Sequence, residues 1–175
     1  MKILLIRHGE TTGDIEDRYG GWYDDDLTEL GVRQLQETAR KMAPELIDKI
    51  FCSTLKRAVQ SAEIINEQLK TDLVTLEGLK ERNYGVLGGL TKEQALLEYP
   101  EAVELHKNPE NSDPEGEAYV DFNRRVLETF KEIAGQKYEK VAIVSHGGPI
   151  KVILKYLNLP LPPRIGDGEI ITVTI

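Results

Sequence analysis

Two of the chain's three histidines sit in the same local context. His8 stands in "LLIRHGE" and His146 in "AIVSHGG", each at the end of an apolar run and each followed by glycine. An apolar run that stops at groups able to carry positive charge reads as a buried strand delivering them to its end. In an open α/β sheet, ligands bind beyond the carboxyl ends of the strands. Arg7 and His8 would lie there on the first strand, Ser145 and His146 on a later one. If those strands are neighbours, both imidazoles face one space. The glycines Gly9 and Gly147 fit that reading, because a ligand can approach glycine backbone closely. Arg57, in "STLKRAVQ", adds a third point near a helix N-terminus, where free N–H groups and the macrodipole favour an anion. Two arginines, two histidines and helix N-termini around one cleft suit a compact dianion. Phosphate is the obvious candidate, since arginine matches its oxygens with paired donors.

Such a set has a chemistry. A neutral histidine can attack phosphorus, and the arginines stabilise charge on the transferring oxygens. The leaving oxygen then needs a proton, which a carboxylic acid can give. Glu81, in "GLKERNYG", is one candidate. Glu10 is the rival, although its place in the first loop also suits a partner for Arg7 or for a backbone N–H. Arg18, Trp22, Tyr23, Arg82 and Gly147 are candidate substrate contacts. Arg18 reads equally as a loop arginine paired with a carboxylate, and Trp22 and Tyr23 equally as loop packing. Tyr84 and Tyr119 are left open. His106, in "ELHKNPE", reads as a solvated loop histidine.

The elements that would position these groups alternate. Apolar runs at 2–6, 48–52, 72–76 and 140–145, and "GEIITVTI" at the end, read as strands. Helical spacing appears after Asp26 or Thr28 as cap, from a cap at Ser53 through Leu69, near 91–98, over 117–135, and from "GGPIKVILKYL" with Pro149 near its start. Residues 9–27 and "NPENSDPEGE" read as loop. Strands separated by helices imply an α/β fold, a three-layer α/β/α sandwich with a mostly parallel central sheet. The length suits a single domain over 1–175, with a lid-like insertion around 83–116.

Composition removes several classes of function. The net charge of −8 opposes nucleic acid or an anionic membrane surface as main partner. The single cysteine, Cys52, allows no intrachain disulfide and no cysteine-based metal site, and reads as a buried core thiol. No apolar run approaches a bilayer span, and the N-terminus lacks a signal-peptide pattern, so a cytoplasmic protein is expected.

The segments "LLIRHGETT", "DDDLTELGVRQ", "FCSTLKRAVQSAEII", "LKERNYGVLGG", "EGEAYVDFNRRV" and "IVSHGGPIK" resemble, in order and over nearly the whole chain, the histidine phosphatase superfamily. This is the phosphoglycerate mutase-like family that includes the fructose-2,6-bisphosphatase domain and many small phosphatases. The resemblance implies that His8 becomes phosphorylated, that Arg7, Arg57 and His146 hold the phosphoryl group, and that Glu81 is proton donor and then base for water. It implies no metal or other cofactor. The chain departs from the family pattern at Asp14, where members often carry Asn, at Gly88, in the place of Glu in Gly-x-Trp-Glu-Gly, and at Ser53-Thr54, where Ser-Pro is usual. The region 83–116 is short and acidic, with Arg82, Lys92 and Lys107 as its few cations. Hydrolysis of a small phosphorylated metabolite by the small phosphatase branch is therefore expected over mutase transfer. The alternatives are a cofactor-dependent phosphoglycerate mutase, a dedicated α-ribazole phosphate phosphatase, an inert phosphate-binding protein, and a metal site of His8, His146 and a carboxylate, which the flanking arginines oppose. A homodimer is compatible with the sequence.

Overall fold

A computed structural model describes residues 1–175. Five strands form one sheet in the order β3-β2-β4-β1-β5. They are β1 (Lys2–Arg7), β2 (Lys49–Ser53), β3 (Asp72–Leu76), β4 (Lys140–Ser145) and β5 (Ile170–Thr174). Four run parallel, and β5 pairs antiparallel with β1 at one edge. The helices are α1 (Thr12–Ile15), α2 (Glu29–Met42), α3 (Lys56–Leu69), α4 (Lys92–Glu98), α5 (Pro100–His106), α6 (Tyr119–Ala134) and α7 (Gly147–Tyr156).

Alternation along the strands divides the core into two layers. Leu4 and Ile6 of β1 pack with Ile50, Cys52, Ala142 and Val144 against Leu35, Ala39 and Met42 of α2 and Ala62 and Ile65 of α3. Ile3 and Leu5 pack with Phe51, Val141 and Ile143 against Phe122, Val126, Phe130 and Ile133 of α6 and Ile150, Ile153 and Leu154 of α7. This is the expected three-layer sandwich. Cys52 is fully buried, and burial pushes its thiol up to about 12.

The strand order settles the geometry on which the chemistry depends. β1 and β4 are neighbours, with Arg7 opposite Ser145. β2 lies on the other side of β4 and runs the same way, so Arg7, Ser145 and Ser53 all end at one sheet edge. The turn before β5 closes over that edge, where Gly168 N–H donates to the carbonyls of Arg7 and His8.

Two local expectations need correction. Ser53 does not cap α3. It ends β2, and the N-cap is Leu55, which has no side-chain cap. Residues 9–27 include the short helix α1, held by a capping box between Thr11 and Asp14. Pro100 is the first residue of α5, where its missing N–H costs no bond. Thr28 does cap α2, accepting from Gly31 N–H.

Phe130 lies 1% exposed at the centre of the second layer, whereas Val120 on the same helix is 67% exposed. Phe130→Ala is expected to cost about 3–5 kcal/mol, read as a lower urea midpoint at unchanged slope. Val120→Ala should stay within about 0.5 kcal/mol of the parent.

Candidate active site

The site is built around two buried side chains. His8 is 6% exposed and Arg57 3%. His8 Nδ1 lies 2.8 Å from the Gly9 carbonyl. A carbonyl oxygen can only accept, so Nδ1 carries the proton and Nε2 keeps its lone pair. Arg57 Nε, 3.3 Å away, donates to that Nε2. Three more of its five N–H groups are occupied. Nη1 donates to the Tyr23 carbonyl at 2.7 Å and to Asp25 Oδ1 at 3.0 Å, and Nη2 donates to the Gly21 carbonyl at 2.8 Å. Burial first, then the Arg57 and Arg7 charges, hold His8 well below the usual histidine range.

His146 faces His8, with ring centroids 5.1 Å apart. Its Nε2 is 2.8 Å from Ser53 Oγ, and its Nδ1 is buried with no hydrogen-bond partner. Burial and then the Arg57 charge lower its pKa well below the usual range as well. Arg7 donates to the Ile165 carbonyl at 2.7 Å and sits 3.1 Å from Asp167 and 3.7 Å from Asp14. Asp14 therefore turns toward the site rather than away. One of its oxygens serves the capping box and the other faces Arg7.

Glu81 is 8% exposed and rigidly braced. Its carboxylate accepts from Arg82 N–H at 2.8 Å and from Gly148 N–H, in the first turn of α7, at 2.9 Å. Its own carbonyl accepts from Trp22 Nε1 at 2.7 Å and from Arg125 Nη2 at 3.0 Å. Arg125 also binds the carbonyls of Gly78 and Lys80 and pairs with Glu117. Gly148 must be glycine here, because a Cβ would meet Glu81 Oε1 at 2.1 Å. Gly147, the residue after the histidine, has open space where a Cβ would stand. Gly9 serves packing rather than a ligand: its Cβ would collide with Gly31 O at 2.7 Å.

Several sequence candidates lie elsewhere or do other work. Glu10 accepts from Thr28 Oγ1 at 2.7 Å and does not reach Arg7 by any ion pair. Trp22 braces Glu81 instead of flooring the cleft. Tyr23 contributes its carbonyl to Arg57, while its ring packs at Gly89. Arg82 is tied to the carbonyls of Pro109 and Asn111 and to buried Asp113. His106 is not a solvated loop residue. It ends α5, lies 3.0 Å from Asp113, and sits edge-on to the rings of Tyr19 and Tyr84. Arg18 pairs with Glu16, donates to the Gly89 carbonyl, and still borders the cleft.

The cleft is a polar cavity of about 380 Å³. Arg7, Arg18, Arg57 and Lys151 line it together with Asp14, Asp25 and Glu81, so four cations meet three carboxylates. His8, Gly147 and Gly148 complete its floor. No three His, Cys, Asp or Glu side chains are grouped so as to hold a metal ion. No helix is long and apolar enough to cross a membrane. The structure thus brings Arg7, His8, Arg57, Glu81 and Gly147 to one cleft, with His146 packed behind it. Sequence reading missed Asp25, Ser53, Arg125, Gly148 and Lys151. Asp25 is hidden in the run "DDD", and Arg125 and Lys151 look like ordinary helix-surface cations until the helices are docked.

Residues 3–167 match the family model for the histidine phosphatase superfamily (branch 1). A 2,3-bisphosphoglycerate-dependent phosphoglycerate mutase of Elusimicrobium minutum (strain Pei191) is 28% identical over 209 aligned residues, covering 99% of this chain and 82% of the mutase. The solved structure of Bacillus stearothermophilus YhfR is similar at a TM-score of 0.90 and 27% identity, covering 99% of this chain and 91% of that one. The alpha-ribazole phosphatase from Shigella flexneri shares the fold, with a TM-score of 0.89 at 24% identity, covering 100% of this chain and 91% of its own.

The lowered pKa values of the two site histidines make stability depend on pH. Below the usual histidine pKa of 6.5, the unfolded chain takes up protons that folded His8 and His146 refuse. Their contribution is therefore complete above that pH and is lost as pH falls toward their folded values. Between pH 7.5 and 5.5, urea unfolding of His8→Gln should lose about 1 kcal/mol less stability than the parent. Equal losses would mean that His8 is protonated in the folded state.

Proposed function

This chain belongs to the histidine phosphatase superfamily, and we propose that it is a metal-independent phosphomonoesterase working through a phosphohistidine on His8. The observation that carries this reading is the state of His8: buried, neutral, its Nδ1 proton held by Gly9 O and its Nε2 lone pair turned to Arg57. An imidazole so prepared is a nucleophile without any proton to lose first.

In the first step Nε2 attacks phosphorus, the P–N bond forms and the P–O ester bond breaks. Arg7 and Arg57 hold the phosphoryl oxygens, and the unpartnered Nδ1 of His146 takes another as hydrogen-bond donor. Glu81 passes its proton to the departing alkoxide. In the second step water attacks the phosphohistidine, Glu81 recovers a proton from it, the P–N bond breaks, and inorganic phosphate leaves. One carboxyl group thus serves as acid and then as base, returning to its starting form.

Two features favour hydrolysis over mutase transfer. Asp14 and Asp25 offset part of the charge of the four cations, which leaves less positive charge for a bisphosphate than four unopposed cations would offer. The alignment with the E. minutum mutase spans 209 residues against 175 here, so that relative carries inserted segments this chain lacks. Fewer covering segments leave water freer access to the phosphorylated histidine.

Phosphate release from p-nitrophenyl phosphate should survive EDTA and fall by about four orders of magnitude or more in His8→Ala. Glu81→Gln should slow hydrolysis of an alkyl phosphate by about 10²–10⁴-fold, and p-nitrophenyl phosphate far less, since that leaving group needs no proton. Loss of activity to EDTA would contradict the mechanism. Isomerisation of 3-phosphoglycerate without phosphate release would favour the mutase reading.

A further inference from the structure

The polar cleft opens sideways into a second cavity of about 340 Å³. The two share Glu81, Tyr84, Gly148, Pro109 and Lys151, so they are one continuous space with Glu81 on its border. The second cavity differs in character. Its walls are Tyr84, Tyr119, Phe122, Val152 and Leu161. Tyr119 and Phe122 come from the first turn of α6, Val152 from α7, and Leu161 from the segment after α7. Only Leu161, 50% exposed, stands well out in solvent, at the mouth. Its cations, Lys151 and Lys155, are successive turns of the α7 face, and Arg82 is spent on Pro109, Asn111 and Asp113.

We infer that this cavity receives the alcohol portion of the substrate, and that the substrates are phosphate monoesters of alcohols with an aromatic or similarly flat apolar body. The inference rests on the phosphatase reading and specifies its substrate class. The position of Glu81 carries it. A phosphoryl group held by Arg7, Arg57 and His8 places the ester oxygen against Glu81, the group that must protonate it. What hangs from that oxygen must continue past Glu81, and the continuous space there is the aromatic-walled cavity. A ring slotted between Tyr119, Phe122 and Val152 removes apolar surface on both sides from water. A polyol would forgo that burial, and its hydroxyls would find polar partners only where His106, Glu110, Lys151, Lys155 and the tyrosine hydroxyls reach the cavity.

Phosphonates test this without turnover, because their P–C bond does not break. Isothermal calorimetry should show 2-phenylethylphosphonate binding about 10- to 100-fold tighter than methylphosphonate, with 3,4-dihydroxybutylphosphonate no tighter than methylphosphonate. The ratio should collapse toward one in Leu161→Asp and Tyr119→Ser and persist in Leu161→Met. Leu161 is half exposed and Tyr119 only borders a core layer from a partly buried position, so neither change removes a fully buried side chain. In parallel, kcat/KM for 2-phenylethyl phosphate should exceed that for glycerol 3-phosphate at least tenfold, both leaving groups being primary alcohols. Equal phosphonate affinities, or a preference for the dihydroxy compound, overturn the proposal while hydrolysis stands. Selective phosphonate binding with neither ester hydrolysed overturns the phosphatase reading beneath it.

Discussion

A guanidinium almost excluded from water is the constraint around which the cleft is organised. Arg57 is 3% exposed, and an isolated charge at that depth would be prohibitive. It is tolerated because Asp25 supplies the countercharge and the carbonyls of Gly21 and Tyr23 take two more of its N–H groups. Breaking such a pair costs about 3–5 kcal/mol. The loop from Gly20 to Asp25 is therefore bound to the start of α3, and its path follows from Arg57 rather than from any strand. Gly21 adopts φ +55°, where a side chain would be strained, and a Cβ there would strike Tyr84 at 2.9 Å. The result is a fixed positive charge with its Nε–H on His8 Nε2 and one Nη2 N–H left for a ligand. The same charge that would gather a phosphate also keeps the imidazole neutral before the phosphate arrives.

The opposite wall follows a different rule. Glu81 is placed by its backbone as much as by its side chain. Trp22 and Arg125 hold its carbonyl, Ser145 Oγ holds that of Leu79, and Gly148 N–H holds the carboxylate. These partners come from the first loop, α6, β4 and α7, so the acid is fixed only when the α6–α7 layer is docked on the sheet and the first loop is in place. The segment after β3 crosses back to the end of β4, where Ser145 and Gly148 hold it, and β4 neighbours β1, so Glu81 and His8 border one cleft. The aromatic-walled cavity lies at the same junction: Tyr119 and Phe122 at the start of α6 and Val152 of α7 border it together with Glu81.

Much of this was legible in the residues. The strands at 2–6 and 140–145 announced themselves as apolar runs, and their abrupt ends at Arg-His and Ser-His marked the sheet edge. Two-sided burial of a parallel sheet leaves that signature plainly. What was not legible depended on contacts distant in sequence. Arg125 looks like any helix-surface arginine until α6 docks against residues 78–81. Ser53 reads as a helix cap because it precedes a helical pattern, but the strand continues through it and its hydroxyl turns to His146. His106, in a polar stretch, reads as solvated, yet Asp113, seven residues on, and two tyrosines enclose it. In each case a local rule was overridden by a partner that spacing alone does not reveal.

The central claim is that a neutral, buried imidazole at the end of β1 carries the phosphoryl group. The most direct measurement is to quench the enzyme into alkali within milliseconds of mixing with p-nitrophenyl phosphate. Phosphohistidine survives base and is lost in acid, so peptide mass spectrometry of the quenched protein can locate it. The account predicts one phosphoryl group on the peptide containing His8, stable to alkali, discharged by acid, and increased in Glu81→Gln, where water is no longer activated. A phosphoryl group on any other residue, or turnover with no covalent intermediate at any time point, would contradict it.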